Sequence, residues 1–121
     1  MAKVIIMGLT VGVYFKKDIL ILRLKGELDE ISVSDLRMKI SNYIDSYKIN
    51  HLVINLKELN FLDSSGIGFI IGRYHQLKFK DGDITLCQIN PKIEKIIYVS
   101  GLAKICKIRD TEEAVLIALE N

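Results

Sequence analysis

The chain has 121 residues, half of them apolar, with 17 basic against 15 acidic side chains for a formal charge of +2, and it has no tryptophan. That length suits one domain with a real core and is too short for two. The charges are spread without a basic block and no apolar run reaches the ~18 residues of a membrane span, so neither nucleic acid nor a membrane is an expected partner.

Met1-Ala2-Lys3 followed by Val4 to Leu9 imitates a secretion signal. No small-residue cleavage site follows, and Lys16-Lys17 stands where a mature protein would begin. Residues 1–9 are therefore read as an N-terminal extension or first strand, ahead of a domain over 10–121 in a soluble, cytoplasmic protein. Val11, Val13 and Phe15 alternate with Gly12, Tyr14 and Lys16, and a second apolar run, Ile19 to Leu24, resumes after Lys16-Lys17-Asp18. This predicts an antiparallel hairpin.

Lys25-Gly26-Glu27-Leu28-Asp29 ends the second strand, and Val33, Leu36, Ile40, Tyr43, Ile44 and Tyr47 then share one face of an amphipathic helix. His51 to Leu56 is apolar on both sides, as in a central parallel strand with helices above and below. Leu59, Phe61 and Leu62 are expected to carry the core through a connecting loop. A second helix runs to about Lys80 with Ile67, Ile70, Ile71, Tyr74 and Leu77 inward, and Asp81-Gly82-Asp83 turns the chain.

Ile84, Leu86, Cys87 and Ile89 supply the next strand. Asn90-Pro91 opens a helix that directs Ile93, Ile96 and Ile97 inward and stops at Ser100-Gly101. Ala103 to Ile108 reads as a last edge strand, and Asp110-Thr111-Glu112-Glu113 has capping-box spacing before a final helix. The fold class is α/β, a mixed sheet opened by an antiparallel hairpin with helices packed on it.

The stretch from Asn60 to Tyr74 holds the candidate chemistry. Asp63 or Ser64 is a natural N-cap, which sets Ser64 and Ser65 at a helix N-terminus. Backbone N–H groups and the macrodipole favour an anion there, so a phosphate on Ser64 can be accommodated without unfolding the helix. Gly66, Gly68 and Gly72 each cost a helix roughly 1 kcal/mol relative to Ala. Close approach by a partner's backbone or by the chain's own sheet would account for them, as would a strand-to-helix turn packed tightly for fold reasons alone. A bulky residue at Gly68 or Gly72 is expected to weaken docking more than folding.

Enzyme chemistry finds little support. No Gly-x-Ser-x-Gly elbow surrounds Ser64 or Ser65, and no His-plus-acid set stands out as activator. Gly66-Ile67-Gly68 resembles a dinucleotide turn, but the third glycine, Gly72, falls one residue late. No catalytic residue and no cofactor are expected. Cys87 and Cys106 read as buried thiols, and His51 and His75 have no Cys or carboxylate at ligand spacing, so no metal is expected. A receiver domain carries its acceptor aspartate near the place of Asp63, yet such a domain opens with a strand and an acidic pair that this chain lacks. Asp29 and Asp63 can converge at one sheet edge, as helix caps or as a metal pair.

With Lys25-Gly26-Glu27-Leu28-Asp29, Leu62-Asp63-Ser64-Ser65-Gly66-Ile67-Gly68 and Ser100-Gly101-Leu102 in this order and spacing, the sequence resembles the STAS domains of bacterial anti-sigma-factor antagonists from about Thr10 to Leu119. Ile71-Gly72-Arg73-Tyr74-His75-Gln76-Leu77-Lys78, with Ser65 in place of the threonine usual in stress-response relatives, is similar to the sporulation branch that antagonises the anti-sigma F factor. Glu30-Ile31 departs from the His-His common after the aspartate.

The resemblance implies a STAS fold and a partner-switching cycle. The unphosphorylated protein would bind an anti-sigma factor that is a GHKL-type serine kinase and free the sigma factor. Phosphorylation of Ser64 would release it, and a PP2C-type phosphatase would reset it. Asp29 and Asp63 would border the docking surface together with Ser65, Gly66, Gly68 and Gly72. A stress-response antagonist, a STAS scaffold and a receiver-like aspartate switch are the alternative readings.

Overall fold

The computed structural model describes residues 2–120. Its elements run β1 (Ala2–Ile6), β2 (Leu9–Lys16), β3 (Ile19–Leu28), α1 (Glu30–Ser46), β4 (His51–Leu62), α2 (Ser64–Lys78), β5 (Asp83–Cys87), α3 (Pro91–Val99), α4 (Leu102–Ile105), β6 (Lys107–Arg109) and α5 (Glu112–Glu120). One sheet contains all six strands in chain order. β1, β2 and β3 are antiparallel neighbours, whereas β3 to β6 are parallel and need helical crossovers to return the chain to the starting end.

Strand alternation assigns the two faces. Leu20, Leu22 and Leu24 of β3, Leu52 and Ile54 of β4, and Ile84 and Leu86 of β5 join one core with Val33, Leu36, Ile40 and Ile44 of α1, Phe69, Ile70 and Leu77 of α2, Ile93 and Ile97 of α3, and Leu102 of α4. The opposite face holds a smaller cluster of Ile19, Ile21, Val53, Cys87 and Val115, and among the described residues α5 is the helix that packs on it. β4 is thus buried on both sides at Leu52, Val53 and Ile54, which is why those three residues are apolar without alternation. Arg23 and Asn55 pin α5 to the sheet: the guanidinium donates to both oxygens of Glu112 at 3.0 and 2.8 Å, and the Asn55 amide donates at 2.7 Å.

Several expectations are revised. The segment expected as a loop at 59–62 continues β4 to Leu62, with two register irregularities against β3, between Arg23 and Lys25 and between Gly26 and Glu27. The backbone carbonyls freed there have an acceptor role elsewhere: Asn90 Nδ2 donates to those of Leu56, Lys57 and Leu59 at 2.8, 3.1 and 2.8 Å, while its Oδ1 caps α3 through Lys92 N–H. Phe61, expected in the core, alternates outward beside buried Leu62 and is 47% exposed.

Tyr47 also leaves the α1 stripe and stands exposed against Phe15, with ring centroids 4.6 Å apart. Phe69, absent from the expected stripe of α2, is buried. β5 ends at Cys87, and Gln88 turns away with φ 54°, so Ile89 lies outside the strand. The edge strand expected over 103–108 divides into α4 and a short β6, and Thr111 rather than Asp110 accepts the N–H of Ala114 at the start of α5.

Both cysteines are free and buried, and burial pushes each thiol up to about 12. Among the described residues no helix is long and apolar enough to cross a membrane.

Candidate functional site

The parallel pairing of β3 and β4 brings Leu28 and Leu62 into register, so the residues that follow them, Asp29 and Asp63, begin α1 and α2 at the same end of the sheet. The backbone N–H of Asp63 reaches Leu28 O at 3.4 Å across that junction. Each aspartate caps its own helix. Asp29 Oδ1 accepts from Ile31 and Ser32 N–H at 3.1 and 3.0 Å, and Ser32 Oγ accepts from Asp29 N–H at 3.0 Å, closing a capping box. Asp63 Oδ1 accepts from Ser65 and Gly66 N–H at 2.9 and 3.1 Å.

Ser32 was not singled out from the sequence, because a capping box is signalled by Glu or Gln three residues after the cap, and here a serine fills that place. Its hydroxyl also donates to Glu27 O at 3.0 Å, which fixes the Glu27-to-Asp29 segment leading into α1. Among the described residues no cluster of three His, Cys, Asp or Glu side chains could hold a metal, and the two aspartates spend a carboxylate oxygen each on backbone N–H groups.

Ser64 is the first residue of α2 and is exposed, while Ser65 is half-buried. Asp63 already takes the N–H groups of Ser65 and Gly66 through its side chain and that of Ile67 through its carbonyl at 3.0 Å. A second anion at this end would therefore meet the Asp63 carboxylate as well as the positive end of the helix. The same end of the sheet exposes Ile31, next to the α1 cap, and Phe61, two residues before the α2 cap.

The three glycines of α2 separate into two kinds. A Cβ at Gly66 would stand 2.7 Å from Leu28 O and 2.5 Å from a Leu62 methyl, so the chain's own sheet accounts for that residue. Gly68 and Gly72 have nothing within 4 Å of such an atom. They leave a low stretch of helix surface running from the Ser64 end. Gly26 of the Lys25-to-Asp29 segment is required by φ 110° and by the carbonyl of Gly8, which occupies the place of its side chain. The Glu27 N–H donates to the same carbonyl at 2.8 Å.

At the opposite end of the sheet the fold supplies a carboxylate the sequence did not place near His51: Asp83 Oδ1 lies 2.9 Å from His51 Nδ1, and Lys107 Nζ lies 2.8 Å from Asp83 Oδ2. Burial pushes the Asp83 carboxyl up, but hydrogen bonds from Lys107 and His51 outweigh it and hold the group below its ordinary value. This cluster bridges the starts of β4, β5 and β6 and stands apart from Ser64.

Residues 10–115 match the STAS domain family. An anti-sigma F factor antagonist of Paenibacillus polymyxa is 39% identical over 114 residues, covering 94% of this chain and 97% of that protein. The structure of the anti-sigma factor antagonist SpoIIAA in its unphosphorylated form is similar with a TM-score of 0.82 at 30% identity, covering 91% of this chain and 96% of that one. That of the Bacillus cell fate determinant SpoIIAA in the phosphorylated form gives 0.73 at 30% identity, covering 90% and 98%.

Proposed function

The chain belongs to the STAS domain family, and on that footing we propose that it is an anti-sigma factor antagonist whose hold on its partner is decided by phosphorylation of Ser64. The observation that carries this reading is the exposure of Ser64 as the first residue of α2, beside two acidic caps and the open helix surface of Gly68 and Gly72. Unphosphorylated, the protein binds an anti-sigma factor of the GHKL serine-kinase type and frees the sigma factor, with sigma F as the expected beneficiary. The bound kinase esterifies the Ser64 hydroxyl, and a PP2C-type phosphatase removes the phosphate. The protein is a binder and a substrate, not a catalyst, and it works in the cytoplasm with residues 10–121 as its domain and 1–9 as an N-terminal extension.

Charge explains the release. A phosphate brings about 1.5 to 2 negative charges to a helix end where Asp63 already occupies two amides. Exposed to water, that charge is solvated; covered by a partner without a matching cation, it costs on the order of 2–5 kcal/mol. The resulting loss of affinity is about 30-fold or more.

Binding of the full chain to its kinase, followed by calorimetry, tests this. Ser64→Ala is expected to bind as tightly as the unmodified protein and to resist release by ATP. Ser64→Asp is expected to bind at least about 30-fold more weakly. Equal affinity of the two variants, or phosphate found by peptide mass spectrometry on a residue other than Ser64, refutes the reading.

A further inference from the structure

A groove of about 360 Å³ runs between α1 and α2, lined by Ser34, Arg37, Met38, Ser41 and Arg73. Two guanidinium groups share it, and among the described residues neither is ion-paired with a carboxylate. Arg73 Nη1 donates to the backbone carbonyl of Arg37 at 3.2 Å, which anchors the side chain across the helix pair. Its Nε is buried and has no hydrogen-bond acceptor among the described residues. The Phe69 ring supports the guanidinium from below, with the central carbon 5.5 Å from the ring centroid.

Burial and then the positive charge of Arg37 hold the Arg73 guanidinium below its ordinary value, with Asp45 opposing them. That carboxylate is already engaged, since Asp45 Oδ1 accepts from Gln76 Nε2 at 3.1 Å. A buried donor without an acceptor, beside a second cation, is costly to the free protein and is relieved by an oxyanion. Arginine presents Nε–H and an Nη–H in a fixed fork that fits two oxygens of a planar carboxylate or two of a phosphate. The hydroxyls of Ser34 and Ser41 supply further donors on the α1 wall.

We propose that this groove is an oxyanion-binding site, in which Arg73 receives a carboxylate or phosphate group with Arg37 as the second cation. The group can come from an acidic side chain of a docked protein or from free inorganic phosphate. The site is distinct from Ser64, because α1 supplies four of its five lining residues and Arg73 lies nine positions further along α2.

The test follows the Nε–Hε resonances of the arginines in the unphosphorylated full chain by proton–nitrogen NMR at constant ionic strength. Sodium phosphate and sodium acetate are titrated separately against a sodium chloride control. A saturable shift of the Arg73 resonance with phosphate or acetate, absent with chloride, is the expected result. Saturation by acetate assigns the groove to a protein carboxylate, and saturation by phosphate alone assigns it to the free ion. Arg37→Gln, an exposed position that leaves the fold intact, should weaken the response about tenfold. No saturable shift with either oxyanion, an equal shift with chloride, or undiminished affinity in Arg37→Gln overturns the proposal.

Discussion

Gly66 and Gly68 stand two residues apart in one helix and do different things. Gly66 is buried where a methyl group would strike Leu28 O and Leu62, whereas Gly68 faces open space. Gly66→Ala is expected to lower the melting temperature, because backbone cannot yield as a flexible side chain would. Gly68→Ala should leave stability unchanged or raise it by up to about 1 kcal/mol through helix propensity, while weakening binding to the anti-sigma partner. Thermal denaturation and a pull-down on the same two proteins separate the effects, and the reverse ranking in the melts would refute the assignment. From the sequence both glycines were equivalent departures from helix propensity. The Leu62 side chain and the Leu28 carbonyl tell them apart, and that carbonyl lies more than thirty residues away in the chain.

At the scale of an element, two polar side chains hold pieces that hydrophobic patterning alone would leave loose. Asn90 gathers three carbonyls of the irregular part of β4 and caps α3 with its remaining oxygen. Asn90→Ala removes the cap and strands those carbonyls, so a loss on the order of 2–3 kcal/mol is expected in urea denaturation. A loss within error of zero would mean that the bulged strand holds its shape unaided.

The second case is α5, whose only fully buried residue is Val115. The hydrogen bonds from Arg23 first, with Asn55 and the Arg23 charge adding, hold the Glu112 carboxyl below its ordinary value against its partial burial. A carboxyl depressed in the folded state stabilises it above the unfolded value, and that contribution is lost as pH falls through the folded value. The melting temperature should therefore drop from about pH 5 downward more steeply in the unmodified protein than in Glu112→Gln. Parallel curves for the two proteins would refute a role for this ion pair in attaching α5. The sequence revealed the helix and its acidic start; it gave no sign that Glu112 would find Arg23, because that meeting depends on which face α5 returns to.

For the whole molecule, β3 and β4 are parallel neighbours inside one mixed sheet, so the charge switch proposed at Ser64 needs no change of fold. Asp29 and Asp63 are set by the Leu28 to Leu62 register, and both helices behind them are locked to one core. Phosphorylation of the full chain is therefore expected to move amide resonances around residues 63–68 and the start of α1, leaving those of β1, β2 and α5 in place. Widespread shifts through the sheet would overturn the electrostatic account in favour of a conformational one.

The amino-acid sequence by itself determined the alternation of strands and helices, the hairpin opening, the burial of β4 and the capped helix that begins at Ser64. Each depends on local spacing or on a side chain bonding within a few residues of itself. The tertiary structure decided why Gly66 differs from Gly68, where β4 bulges, and that Arg37 and Arg73 share one groove. Those outcomes depend on atoms brought together by strand register and helix packing, and no short stretch of the chain contains both partners.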